Sequence, residues 1–192
     1  MYLKKAYGHV LTGQIHGCVF IVKKSAGPGW SRWVHRSQGK THCEVCLRLD
    51  GCLFFAGKTP PCPHHPNCHC ILEPVDDNEV LARAQAYSDY RKFAPYLFGQ
   101  KYTAVHGKNQ VFESWGYSVS DSLWLQKEFE RLALKKYLLG DYTLGKLDKY
   151  GQRIRIRITI PRKNNVANIS FITGWLVESN GKLKLTTPYG GK

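Results

Sequence analysis

From Arg153 to Ile160 the chain alternates strictly, with Ile154, Ile156, Ile158 and Ile160 on one parity and Arg153, Arg155, Arg157 and Thr159 on the other. A strand sends successive side chains to opposite faces, so this segment predicts a strand with one oily and one cationic face. Two more strands are expected over 168–177 and 182–186, joined by a hairpin turn at Ser179, Asn180 and Gly181. A fourth, over 142–147, would meet the arginine strand through a turn from Asp148 to Gly151. Before residue 140 the period is helical. Val80, Leu81, Ala84, Tyr87 and Phe93 predict a linking helix over 78–94, capped by an Asp or Asn of the segment that precedes it. Val111, Phe112 and Trp115 predict a short helix between Gly107 and Gly116. Leu125, Phe129, Leu132 and Ala133, opposite Gln126, Lys127, Glu130 and Arg131, predict a longer one, capped by Ser120 or Asp121 and stopped by Gly140. The fold class expected is α+β: helices packed on one face of a four-stranded antiparallel sheet.

The first 75 residues follow another rule. All seven cysteines lie at or before Cys70, and from Trp33 onward the density of Gly, Pro and Cys suits short turns around a metal more than long helices. The composition changes over 73–78, so the chain divides into a Cys/His module over 1–75 and a basic domain over 76–192. Structural zinc takes four tetrahedral N or S ligands, and a CxxC turn supplies two of them from one tight loop. Cys43 and Cys46 fit that role, and His65, Cys68 and Cys70 supply the other half, which makes five candidates for four places. Cys62 and His64 form a less regular alternative. Nothing marks an open coordination position with a base beside it, so the zinc expected is structural, and Glu44 reads as a solvated acid. An odd number of cysteines without an export signal argues for thiolates held by metal over a disulfide framework. The residues after Met1 lack the apolar core of a signal peptide, which predicts synthesis in the cytosol, and runs such as 18–22 and 52–56 are too short to be inserted in a membrane.

Charge then points to partners. Twenty-eight Lys and Arg against fourteen Asp and Glu give a formal charge of +14, which favours phosphate-bearing ligands. From Thr143 to Lys192 there are ten Lys or Arg and two Asp or Glu. Arg153, Arg155 and Arg157, with Lys182 and Lys184 alternating on a neighbouring strand, form a candidate nucleic-acid-binding face. A merely solvated outer face is the plainer alternative. Cleaving RNA without metal needs a base for the 2′-hydroxyl proton, an acid for the departing 5′-oxygen and cations for the charge growing on phosphorus. His106 is the one histidine after His69, beside Gly107 and Lys108 and just before the short helix. It is a candidate base or acid, against the simpler role of a surface or capping histidine.

Two resemblances add to this. The Trp-rich lead from Trp30 to His35, the Cys43–Cys46 pair followed by Leu49, Asp50 and Gly51, and the closing His65, Pro66, Cys68 and Cys70 resemble the Cys/His module of phage Mu F-like minor head proteins. This chain carries Cys52 and Cys62 in addition. From about Tyr96 onward, the segment from His106 to Gly116, Gly174 to Val177 and Leu185 to Tyr189 are similar to toxin-type domains of contact-dependent-inhibition and phage head proteins. These are grouped in the barnase/EndoU/colicin/RelE-like ribonuclease superfamily. That resemblance implies metal-independent cleavage of RNA, often tRNA, on the sheet face away from the helices, together with an acidic immunity protein. It implies His106 as base or acid, Arg155 and Arg157 as phosphate clamps, Lys108 as a phosphate ligand and Thr187 as a positioning hydroxyl. It also implies a cytoplasmic protein that is virion-associated or delivered into a target bacterium. The alternative is a non-enzymatic nucleic-acid-binding or head-assembly protein whose partners are phage head components.

Overall fold

The computed structural model describes the backbone of residues 10–15 and 18–23, and residues 29–36, 43–99 and 107–191 with their side chains. β1 (Val10–Ile15) and β2 (Cys18–Lys23) form an antiparallel pair. β3 (Trp30–Val34) lies between β4 (Leu53–Phe55) and β5 (Ile71–Val75) in a three-stranded antiparallel sheet. The short helix α1 (Glu44–Leu49) sits between β3 and β4, with Cys43 as its N-cap.

The break between β5 and the next helix falls at Asp76, whose side chain accepts the Asn78 N–H and caps α2 (Asp77–Arg83). The single linking helix expected over 78–94 does not form. Ala84 leaves helical geometry for extended backbone, and β6 (Gln85–Tyr87) pairs parallel to a later strand. A 3-10 turn (Tyr90–Lys92) and α3 (Ala94–Phe98) follow. The short and long helices appear as predicted, as α4 (Lys108–Ser114) and α5 (Ser122–Leu138). The cap of α5 begins further back than expected: Ser118 and Asp121 form a capping box on the 3-10 turn Val119–Asp121 that leads into it.

β7 (Thr143–Asp148), β8 (Gly151–Pro161), β9 (Asn168–Val177) and β10 (Lys182–Thr187) make the expected antiparallel meander. Asn180 and Gly181 both take positive φ in the last hairpin turn, which suits a two-residue turn between twisted strands. The sheet has five strands, not four, in the order β6-β10-β9-β8-β7. The fifth covers the edge that β10 would otherwise leave open, and the Tyr87 hydroxyl donates to Glu178 at 2.7 Å to hold it there.

Ile154, Ile156, Ile158 and Ile160 are fully buried, while Arg155, Arg157 and Thr159 are exposed and Arg153 is half-buried. Burying an isoleucine side chain contributes about 1.5–3 kcal/mol, so this alternation alone fixes which face of β8 receives the helices. Leu125, Phe129, Ala133 and Tyr137 of α5 fill that face. The opposite side of α5 is less exposed than its polarity predicts: Gln126 and Glu130 are buried, and they bond the Ser88 carbonyl (2.9 Å) and hydroxyl (2.7 Å). The strand and turns that replace the expected long helix pass over them.

The module is seated on the domain through a continuous core. Trp30 packs edge-on to Tyr137 with centroids 4.9 Å apart. The Tyr137 hydroxyl donates to the Leu53 carbonyl at 2.5 Å, and the Tyr142 hydroxyl accepts the Phe55 N–H at 3.0 Å. Gly140 has φ +66 and a Cβ there would fall 2.4 Å from the Phe55 ring, so both the stop of α5 and the seat of Phe55 require glycine. No helix among the described residues is long and apolar enough to cross a membrane.

Candidate metal centre and cationic sheet face

Cys43 and Cys46 reach the same space because one caps α1 and the other lies in its first turns. The second half of the cluster comes from the irregular stretch before β5. There Asn67 has φ +61, and the Cys68 N–H bonds the His65 carbonyl at 3.1 Å in a tight turn. The five candidates converge. Ligand atoms of Cys43, Cys46 and His65 lie within 4.8 Å of one another, as do those of Cys46, Cys68 and Cys70. Cys46 belongs to both groups, its Sγ 3.3 Å from His65 Nε2 and 3.7 Å from Cys68 Sγ. These side chains can hold a metal ion.

The protonation preferences fit that reading. The thiol of Cys43 is lowered, chiefly by a backbone hydrogen bond at Cys46. Burial pushes Cys68 up, but backbone hydrogen bonds at His64 and Cys70 and neighbouring thiols outweigh it and bring the group to about 7. Burial raises Cys46 and Cys70, so these two carry charge readily only beside a cation. His65 Nδ1 lies 2.7 Å from the Pro66 carbonyl, a contact that is the chief cause of its raised pKa. The same contact keeps the proton on Nδ1 in the neutral ring and leaves the Nε2 lone pair toward Cys46. Trp33 Nε1 is buried without a conventional hydrogen-bond partner, and its N–H favours the thiolate of Cys70. An indole donor left over in a core fits an anionic sulfur ligand.

Cys62 donates to the Cys70 carbonyl at 3.4 Å and stands outside both groups, while Cys52 is buried against the Arg48 and Val177 carbonyls. Two residues near the cluster carry no ligand spacing in the sequence: Trp33, and His35, whose Nδ1 is 3.5 Å from Cys70 Sγ. Strand register brings them there, since Trp33 pairs with Leu72 and Val34 with Ile71.

On the outer face of the five-stranded sheet, register sets the cationic side chains in rows. Arg155 of β8, Gly174 of β9 and Thr187 of β10 are cross-strand neighbours, and Arg153, Leu176 and Lys184 form the next row on that side. Arg157 lies opposite Ile172. A Cβ on Gly174 would meet Thr186 Oγ1 at 3.1 Å and Thr187 Cβ at 3.3 Å. The threonine side chains of β10 therefore already fill the space beside Gly174, and a glycine at this place in β9 lets them lie that close. Among the described residues Arg155, Arg157, Lys182 and Lys184 form no ion pair, whereas Arg153 is 3.7 Å from Asp148. Lys92, which nothing in its sequence context singles out, bonds the Thr186 carbonyl at 3.0 Å beside the bulge of β10. Lys108 is directed elsewhere, its Nζ 3.1 Å from the Tyr96 hydroxyl and over the ring. No described hydrogen bond or ion pair joins it to the arginine strand. His106 lies outside the described residues.

Fold and site together define an α+β protein in which a Cys/His module is seated on a sheet with one cationic face. Residues 81–192 match the family described as Domain of unknown function (DUF6883), which is more than half of the chain, and the protein belongs to that family. No curated protein and no solved structure matches it.

Proposed function

We propose that this protein is an endoribonuclease whose basic domain cleaves RNA without a catalytic metal, while the Cys/His module holds one structural Zn2+. The observation that carries the reading is the row of Arg155, Gly174 and Thr187 on a sheet face where Arg155, Arg157, Lys182 and Lys184 form no ion pair among the described residues. Exposed cations that form no ion pair among the described residues, in a row with a threonine hydroxyl, suit the phosphates of a nucleic-acid backbone. In this reading Arg155 and Arg157 clamp the scissile phosphate and Thr187 positions it. His106 takes the proton as the 2′-oxygen attacks phosphorus, and an acid returns one to the departing 5′-oxygen. Lys108 neutralises a neighbouring phosphate. Zinc, when bound, supplies a cross-link among thiolates and imidazole; four of Cys43, Cys46, His65, Cys68 and Cys70 would hold it.

The biological setting that suits this chemistry is that of a phage-derived or polymorphic-toxin effector, restrained by an acidic immunity protein and acting on tRNA in the cytoplasm of a target bacterium. The test is incubation of the protein with total tRNA, with and without EDTA, beside the His106→Ala and Arg155→Ala variants. Discrete chelator-resistant fragments that vanish in both variants are expected. Intact RNA together with a salt-sensitive mobility shift would replace the enzyme with a nucleic-acid-binding or head-assembly protein.

A further inference from the structure

The cationic face does not end where β8 begins. Gly151 opens that strand two residues before Arg153, and a side chain there would point at Leu176 Cδ1 (3.4 Å) and Arg48 Cβ (3.9 Å). Leu176 is the residue between Arg153 and Lys184 on the outer face. Arg48 of α1 is thus laid against the start of the arginine strand, and the module adds a cation to the domain's stripe. Beside it opens a cleft of ≈ 320 Å3 lined by Glu44, Leu47, Arg48, Lys149 and Tyr150. That volume is at the small end of ligand sites. Two of its walls are apolar groups that the fold leaves uncovered, Leu47 at 48% exposure and Tyr150 at 59%. Lys149 Nζ stands 5.4 Å from the centre of the Tyr150 ring. Neither Arg48 nor Lys149 forms an ion pair among the described residues.

We infer that this cleft is a nucleobase subsite at the end of the cationic face, which takes one base of a single-stranded RNA against Tyr150 and Leu47 and the adjoining phosphate on Arg48 and Lys149. The inference rests on the RNA reading above. Aromatic faces bind bases irrespective of sequence, and cations at their rim follow the backbone. Glu44 adds an acceptor for the N–H donors of a base edge. Continuity with the arginine strand, a cleft of the size of one base and the pairing of an exposed ring with unpaired cations favour a nucleotide over a peptide. The metal cluster has a consequence for RNA in this arrangement: Cys43 and Cys46 anchor α1, so they position Leu47 and Arg48.

The test has two arms on the full chain. In the first, adenosine 5′-monophosphate or inorganic phosphate is titrated and followed by NMR. The nucleotide should shift the Leu47 methyl and Tyr150 ring signals, and phosphate alone should leave the ring unmoved. In the second, binding of a single-stranded oligoribonucleotide is measured over a range of salt. Tyr150→Ala should bind about tenfold more weakly, Tyr150→Phe like the wild type, and Arg48→Ala more weakly with a salt slope reduced by about 1. If Tyr150→Ala binds like the wild type while Arg155→Ala is weakened, the subsite is refuted and the RNA reading stands. If the wild type shows no salt-dependent RNA binding, that reading falls, and the nucleotide titration decides the subsite by itself: unmoved Leu47 and Tyr150 signals refute it, as does equal perturbation by phosphate.

Discussion

The Cys/His module and the basic domain reach order by different physics. From Pro61 to His69 no residue is buried and none lies in a helix or strand, yet His65 and Cys68 are brought against Cys46. β8 in contrast buries every second residue from Ile154 to Ile160. Little apolar area is buried in the first segment, and in the reading proposed above sulfur and imidazole sharing a cation would order it, whereas the second is held by area removed from water. The contrast explains why one half of the molecule is expected to respond to chelators and the other is not.

The largest expected effect follows directly. Structural zinc sites contribute about 10–16 kcal/mol of apparent binding energy in small metal-dependent folds. Chelation, or Cys46→Ser, should therefore abolish hydrogen-exchange protection over 61–70 and leave β8 and β9 protected. Unchanged protection over 61–70 in the metal-free protein would remove the contrast. The variants His65→Ala and Cys70→Ser sharpen it. A variant that still retains one equivalent of zinc per chain marks the residue it lacks as the spare member of the five candidates, and loss of zinc in both leaves His65 and Cys70 among the four ligands.

The second effect compares the two faces of one strand. Ile156→Ala should destabilise the domain by about 2–5 kcal/mol through the cavity it leaves. Arg157→Ala, one residue on and exposed, should lie within about 0.5 kcal/mol of the wild type in chemical denaturation, while weakening RNA binding at low salt. Equal losses of stability in both variants would mean that the arginine side of β8 is not a free surface.

The two regions were unequally legible. The alternation from Arg153 to Ile160 needs no partner to be read, because burial on one face is a local consequence of period two. The Cys43–Cys46 pair is legible for the same reason, its spacing being set by a single turn. What escaped depends on contacts between distant segments. Gln85 to Tyr87 lies within a run whose apolar residues fall at helical spacing, and it becomes a strand because the edge of β10 is open to it. Gln126 and Glu130 read as solvent-facing because Ser88, which satisfies them, arrives from another element. Trp33 and His35 reach the metal cluster only through the register of β3 with β5. Gly174 is visible in the sequence, but its place between Arg155 and Thr187 is a matter of pairing across three strands.

A third, smaller effect tests how far the module relies on the domain. Tyr137 is wholly buried and donates to the Leu53 carbonyl across their boundary. Tyr137→Phe leaves that acceptor unpaired at a cost of about 1–3 kcal/mol. Faster amide exchange is expected in β3 and β4 with little change in β8. A uniform loss of protection throughout the chain would show instead that module and domain unfold as one unit, and the two modes of order would then be coupled completely.

The smallest effect belongs to surface charge in the basic domain. Burial alone would raise the Asp121 carboxyl, but hydrogen bonds from Lys163 (2.8 Å) and the Ser118 N–H (2.9 Å) outweigh it and hold the group below its ordinary value. A carboxyl depressed by folding contributes stability that is present above its unfolded pKa, about 3.9, and is lost as pH falls through the lower folded value. Lys163 is half exposed, so the ion pair is worth about 0.2–1 kcal/mol. Lys163→Ala should therefore be slightly less stable than the wild type at neutral pH, and the gap should close in acid. A gap that persists unchanged below pH 2 would assign the effect to packing of the lysine stem and not to its charge, and the Lys163–Asp121 ion pair would drop out of what stabilises this half of the molecule.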